Sequence, residues 1–377
     1  MARNEKMTSV SPERLRYARE YYGLNIDQVS QKIKTIKPED LVNYESGSDS
    51  PTYSKLEQLS DFYNRPLLYF FFKTHPQQEK LVVAFRSVEQ EIGQHMDMQI
   101  RTMMEKADSY RLNLADLFGN QDRVKFIDLI EASNINTDVE FAVWLRKKLD
   151  FSLELQKGYF TRADTLLEYL REKLFDIGIY VFKDSFRADD VSGLCLFDTD
   201  FPVILLNNKT SFTRQIFTIF HEIYHLYLKE PDVYLPKLSE EKACDKFASE
   251  FLVPQEDLNK YFVNVIDFES KSFIEGLARK YTVSPSAIAY RLKAQGKISS
   301  DFYLSIQEDG IRKMNSEASG GNFYYTRISY LGKPYLKRVF TDYYTGKINV
   351  ATVGKYTGLK AAHISTLSSN MFGGMLS

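Results

Sequence analysis

Apolar and polar positions follow a helical period at the start of the chain. Leu15, Ala18, Tyr21 and Tyr22 recur at that spacing between Glu13 and Tyr22, which predicts a helix ended by Gly23. Ile26 to Ile33 predicts a second helix, with Asn25 as its N-cap. A third opens at Pro38, a residue suited to a first helical turn, and runs to Tyr44 or Glu45. Ser46 to Pro51 reads as a loop, and Tyr53 to Tyr63 predicts a fourth helix. Residues 11–72 therefore read as a small all-helical module. The apolar run Pro66 to Phe72 is expected to pack that module onto the next part of the chain, and His75 to Lys80 reads as a linker.

Residues 88–175 keep a mostly helical texture, including Phe141 to Leu149 and Thr161 to Phe175. The pattern then changes. Ile177 to Phe182, Val191 to Phe197 and Pro202 to Leu206 are short runs rich in β-branched and aromatic residues, which predict strands. Helical spacing returns from about Ser211 to Leu228 and from about Ser239 to Leu252, the latter stopped by Pro254. Two shorter helices are expected within 272–298. Beyond 299 the chain is polar and punctuated by glycine, with a turn at Gly320-Gly321-Asn322. Tyr335 to Tyr344 and Val350 to Leu367 are expected to be helical.

Composition narrows the function classes. Lys and Arg number 49 against 50 Asp and Glu, a net charge of -1, which excludes a whole-chain polycation for nucleic acid. The two cysteines, Cys195 and Cys244, are far apart and in no metal-like spacing. That is no disulfide scaffold, and it fits a reducing compartment. Met1 to Val10 lacks the apolar stretch of a signal peptide, and runs such as Leu67 to Phe72 are too short to span a bilayer. The expectation is a cytoplasmic protein with no membrane partner.

The chemistry concentrates in His221-Glu222-Ile223-Tyr224-His225. On a helix, residues four apart share a face, so both imidazoles can meet one ion. Glu222 is rotated by about 100° from His221, which puts it beside an attacking water rather than among the ligands. With five histidines in the chain, this pattern arises by chance in about one case in a few hundred. A catalytic zinc takes three protein ligands and keeps one position open. No third histidine follows at close spacing, so a carboxylate from the next helix is the natural donor, with Glu240, Glu241, Asp245 and Glu250 as candidates. Glu241 and Asp245 share a face. Glu241 can ligate while Asp245 orients a histidine through its other ring nitrogen. Tyr227, Tyr234 and Arg214 are candidates for stabilising an oxyanion.

Three segments carry a resemblance. They are Arg214 to Leu226 around the two histidines, Glu241-Lys-Ala-Cys-Asp-Lys-Phe-Ala-Ser-Glu-Phe-Leu-Val-Pro254, and Val283-Ser-Pro-Ser-Ala-Ile-Ala-Tyr-Arg-Leu292. Together they resemble the ImmA/IrrE family of metallopeptidases over about residues 140–300, with Asn207 or Asn208 matching an opening asparagine. The resemblance implies Zn²⁺ held by His221, His225 and Glu241, with Glu222 as general base. Tyr224 stands where glycine is common, Cys244 where alanine is, and Asp245 where asparagine is. Such proteins are similar to gluzincins, and several cleave a helix-turn-helix repressor. The implied partner is thus a repressor or antitoxin substrate.

Residues 11–72 resemble an XRE-type helix-turn-helix domain through Arg14-Leu-Arg-Tyr-Ala-Arg19, Asp27-Gln-Val-Ser-Gln-Lys-Ile33 and Asn43-Tyr-Glu-Ser-Gly47. The tail from Arg65 and the Ala84-Phe-Arg86 segment are similar to those of fused helix-turn-helix peptidases. DNA contacts would come from Lys37, Glu39 and Asn43. Against this, Glu39 and Asp40 would meet a polyanion, and residues 1–75 carry 11 basic and 10 acidic side chains.

The fold expected is α+β and mostly helical: an all-α helix-turn-helix domain (1–75), a helical linker (76–140), a gluzincin-like peptidase domain with a small sheet (141–298), and an α-rich C-terminal region (299–377). The function expected is limited proteolysis by a regulatory zinc endopeptidase. The alternatives are a helix-turn-helix regulator, or a toxin–antitoxin component whose metal domain senses or binds protein.

Overall fold

The computed structural model describes residues 5–72, 98–119, 121–186, 191–228, 238–263, 265–314 and 322–373. The chain divides into two compact units, Met1–Thr102 and Met103–Ser377.

The first unit contains α1 (Pro12–Tyr21), α2 (Ile26–Lys32), α3 (Pro38–Ser46), α4 (Tyr53–Phe62) and a 3-10 turn at Leu67–Phe71. The ends of these helices are set by local chemistry. The Ser11 hydroxyl accepts from the Arg14 amide, Asn25 and Gln28 form a reciprocal capping box, and Thr52 caps α4; each satisfies amide donors that the first helical turn leaves open. Gly47, at φ 79, ends α3. Leu15, Val29, Leu41, Leu56, Leu59 and Phe70 form the core. The Pro66–Phe72 run thus contributes Phe70 to the core of this unit itself, and the Phe70 carbonyl accepts from the Ser11 amide at 2.7 Å. His75 to Lys80 and Ala84 to Arg86 lie outside the described residues.

The helix α5 (Met98–Phe118) enters the second unit at Met103. There follow α6 (Phe126–Glu131), α7 (Asp138–Lys148), α8 (Leu153–Gly158) and α9 (Ala163–Asp176). Three strands come next, β1 (Tyr180–Asp184), β2 (Gly193–Leu196) and β3 (Val203–Asn207). They form one sheet in the order β1-β3-β2. β1 pairs parallel with β3, placing Tyr180 opposite Val203, and β2 pairs antiparallel with it, placing Leu194 opposite Leu205. After the sheet come α10 (Phe212–Leu228), α11 (Leu238–Leu252), α12 (Gln255–Asn259), α13 (Lys271–Tyr281), α14 (Pro285–Ala294) and α15 (Ser300–Met314).

The near-continuous apolar reading of the strands has a packing cause: both faces of the sheet are covered. Val181, Cys195, Ile204 and Leu206 join a core with Ile219, Phe220 and Ile223 of α10. The alternate residues Tyr180, Phe182, Val203 and Leu205 join a second core with Met103, Tyr110 and Leu114 of α5 and with the C-terminal helices. Those helices are α16 (Phe323–Leu331), α17 (Lys333–Tyr344), α18 (Val350–Thr357) and α19 (Ile364–Phe372). Buried Arg171 holds the first of them. Its guanidinium donates to the carbonyls of Val181, Ser329 and Tyr330. The stretch expected to be helical from Val350 to Leu367 forms two helices, divided at Gly358, whose φ of 65 turns the chain out of the first. Gly320 and Gly321 lie outside the described residues. Among the described residues, no helix is long and apolar enough to cross a membrane.

Candidate metal centre

α10 is strongly amphipathic, and its position follows from that. Ile216, Ile219, Phe220 and Ile223 are fully buried between the sheet and α11. This anchoring brings the polar face with His221 and His225 against α11. Ser211 precedes the helix and accepts from the Arg214 amide at 3.2 Å.

The two histidine Nε2 atoms are 3.3 Å apart. Glu241, from the first turn of α11, places Oε2 3.2 Å from Nε2 of His221 and Oε1 3.4 Å from Nε2 of His225. Three ligand atoms at ordinary zinc distances on a tetrahedron are separated by edges of about 3.3 Å. The donor set therefore fits a single small cation. The other ring nitrogen of His221, Nδ1, is 3.0 Å from Oδ1 of Asp245. Burial disfavours charge on His221, but the hydrogen bonds to Asp245 and Glu241 outweigh it and push its pKa up to about 10. Hydrogen bonds from both imidazoles hold the Glu241 carboxyl far below its usual range.

Glu222 is 6% exposed, and its Oε2 is buried with no hydrogen-bond partner. Burial raises its pKa, against the opposing pull of His221 and His225 and a hydrogen bond with Cys195. A carboxylate with one unsatisfied, desolvated oxygen beside a cation site is placed to take a proton.

These groups line a cleft of about 300 Å³, with Val191, Ser192, Gly193 and Leu194 along one wall and Arg214, Phe217 and Thr218 on another. β2 is an edge of the sheet, so a strand edge borders the cleft. The wall is close to α10. A Cβ on Gly193 would stand 2.7 Å from Cγ2 of Thr218 and 3.0 Å from the Leu205 carbonyl. Asn207 shapes the same wall, donating to the Val191 carbonyl at 3.1 Å and accepting from the Phe186 amide at 3.3 Å. A second hollow of about 210 Å³, bounded by Ser284, Tyr290, Tyr303 and Gln307, shares Arg214, Phe217 and Asp245 with the first.

The remaining sequence candidates fall in several places. Glu250 forms an ion pair with Arg291 and accepts from the Gln255 amide at 2.8 Å. Of the oxyanion candidates, Arg214 lines the cleft. The Tyr227 ring stacks on Phe141 at 4.0 Å, and Tyr234 lies outside the described residues. Tyr224 points away from the ligands: its hydroxyl donates to Asp138 of α7 at 2.7 Å and its ring stacks on Phe247. Lys37, Glu39 and Asn43 are exposed at the start and along one side of α3, while Asp40 accepts from Lys55 at 2.8 Å.

Sequence spacing missed the two cysteines. Cys195 and Cys244 are buried on β2 and α11. The Cys244 sulfur lies within 4.8 Å of a ring nitrogen of each histidine. Cys195 bonds Glu222, which together with burial raises its own pKa well above the usual value. Their separation of 49 positions carries no signal, because only the fold brings a strand and a helix together here.

Residues 176–293 match the Peptidase_M78 family, the IrrE N-terminal-like domain. No curated protein is significantly similar to the chain. The matched stretch begins just before β1 and ends in α14, so it spans the sheet, the cleft and every residue of the candidate centre. It supports a peptidase of the ImmA/IrrE type.

Proposed function

We propose that the second unit is a zinc-dependent endopeptidase that makes limited cuts in a protein substrate. The observation that carries this reading is the convergence of His221 and His225, whose Nε2 atoms lie 3.3 Å apart, on the two carboxylate oxygens of Glu241, one oxygen 3.2 Å from His221 and the other 3.4 Å from His225. His221, His225 and Glu241 would hold the zinc, leaving a position free, and Asp245 would fix the orientation of His221. A bound zinc would supply Lewis acidity towards water and the scissile carbonyl.

The chain's own groups supply the rest. Glu222 takes a proton from the attacking water and delivers it to the departing amide nitrogen. Its buried Oε2, with no hydrogen-bond partner, belongs to a side chain that lines the cleft and is placed to serve both transfers. An extended segment of substrate pairs with the β2 edge through main-chain hydrogen bonds, which positions an amide over the cleft. Arg214 lies where developing negative charge can be met. A site open to an extended chain suits an unfolded or exposed loop of another protein, in keeping with a repressor or antitoxin as substrate.

The test uses a peptide library read by mass spectrometry, with wild type and Glu222→Gln. Zinc content of about one per chain in both, with cleavage only in wild type, is the expected result. Cleavage that survives Glu222→Gln would end the mechanism.

A further inference from the structure

The C-terminal helices hold a second kind of site. Between Asn322 and Gly373 the basic residues are Arg327, Lys333, Lys337, Arg338, Lys347, Lys355 and Lys360, and the one acidic residue is Asp342. In a chain of net charge -1, seven against one is a local basic excess; Lys355 is paired with Asp116 of α5 and Arg338 with Asp342, and the remaining cations leave the electrostatic footprint of a polyanion site.

Its geometry is that of two helices joined by a tight turn. α18 ends at Thr357, and Gly358 takes the left-handed conformation at φ 65. A short 3-10 turn at Ala361–His363 then leads into α19. Two glycines are required for this. Gly358 supplies the positive φ, and a Cβ on Gly354 would stand 2.9 Å from the Leu359 carbonyl. The inner faces are apolar and buried: Val353, Leu359, Ile364 and Leu367. α18 packs on α17, and α19 packs on α16 and α18. The 3-10 turn exposes Ala361 and Ala362, and the outer face of the second helix exposes Ser365, Thr366 and Ser369. These are small side chains with hydroxyls and methyls, the groups that read base edges and thymine methyls at close approach.

We infer that α18 and α19 form a duplex-DNA-binding helix-turn-helix, with α19 entering the major groove and Lys347 and Lys360 meeting phosphates. Lys347 lies just before the N-cap of α18, and Lys360 opens the segment leading into α19; these are the places from which such a motif touches the backbone. Lys360 has no ion pair among the described residues, and Lys347 reaches only Asp342, at 3.5 Å. Two other helix pairs in the chain fit this role less well. α13 and α14 also meet through a left-handed residue, Thr282 at φ 55, but α15 packs on α14. α3 of the first unit presents Glu39 and an Asp40 paired with Lys55. B-form DNA is favoured over duplex RNA because the A-form major groove is too narrow for a helix.

The test is fluorescence anisotropy with the full chain and a labelled mixed-sequence duplex of about 30 base pairs at low salt. Binding is expected, weaker by at least about tenfold in Lys347→Glu/Lys360→Glu, with the salt slope shallower by about 2. A Lys32→Glu/Lys34→Glu variant moves the same charge in the first unit and is expected to stay within about twofold of wild type. Ser365→Glu, on the exposed face, decides the matter should the double variant unfold, and it too should weaken binding. No binding by wild type, equal binding by the C-terminal variants, an equal loss in the first-unit variant, or equal affinity for duplex RNA of the same sequence would each overturn the inference.

Discussion

Asp245 sets Oδ1 3.0 Å from Nδ1 of His221, on the opposite side of the ring from the nitrogen that faces Glu241. The carboxylate fixes the proton on Nδ1 and leaves the Nε2 lone pair for a cation. Asp245→Ala should therefore weaken zinc binding by about 10 to 100-fold, measured by competition with a chromogenic chelator. Unchanged affinity would make Asp245 an ordinary surface carboxylate.

Glu241 and Cys244 both come from α11, one turn apart, and both lie close to the two histidines. The Glu241 oxygens stand 3.2 and 3.4 Å from the histidine nitrogens, and the Cys244 sulfur lies within 4.8 Å of them. Glu241→Ala should lose most of the bound zinc, whereas Cys244→Ser should keep close to one ion per chain, both measured by elemental mass spectrometry. The reverse result would move the third ligand to the thiol.

The sequence made the helices and the histidine pair legible because each depends on local spacing. His221 and His225 share a face by helical period alone, and Asn25, Pro38 and Pro254 mark helix ends through their own backbone chemistry. Contacts that depend on which elements meet were not legible. The hydrogen bond of Cys195 with Glu222 joins β2 to α10, and Phe70 packs into the core that includes Leu15 and Leu41. The position of the break at Gly358 was not legible for a related reason. The apolar spacing of α18 and α19 continues across the turn, and it is the positive φ of Gly358 with the following 3-10 turn that separates them.

Gly193 is where the cleft wall comes nearest to α10. A methyl group there meets Thr218 Cγ2 at 2.7 Å and the Leu205 carbonyl at 3.0 Å, so β2 has to move outward. Gly193→Ala should destabilise the protein by about 1 to 3 kcal/mol in urea denaturation and lower cleavage as well. Adding Thr218→Ser removes the nearer obstacle but keeps the hydroxyl that donates to the Arg214 carbonyl and lies 3.0 Å from the Ser192 hydroxyl. It should recover part of the loss. No recovery would show that the Leu205 carbonyl alone controls the wall.

Lys183 is fully buried on β1, with Nζ 3.4 Å from Glu168, a carboxylate it shares with Arg171. Burial and the neighbouring Arg171 push its pKa down to about 8, against the pull of Glu168. The ammonium is thus less favourable in the folded chain than in the unfolded one. Below pH 8 both states carry the proton and the cost is fully present. Between about 8 and the ordinary lysine value of 10.5 the unfolded chain holds a proton that the folded chain has released, so wild-type stability rises with pH. Lys183→Met keeps the volume and leaves Glu168 paired with Arg171. It should be more stable than wild type at pH 7 by on the order of 1 to 3 kcal/mol. That advantage should shrink as the pH is raised through 8 to 10.5, followed by urea titration at each pH. An advantage that stays constant across the window, or a variant less stable at pH 7, would mean that the Glu168 pairing more than offsets the cost of burying the charge.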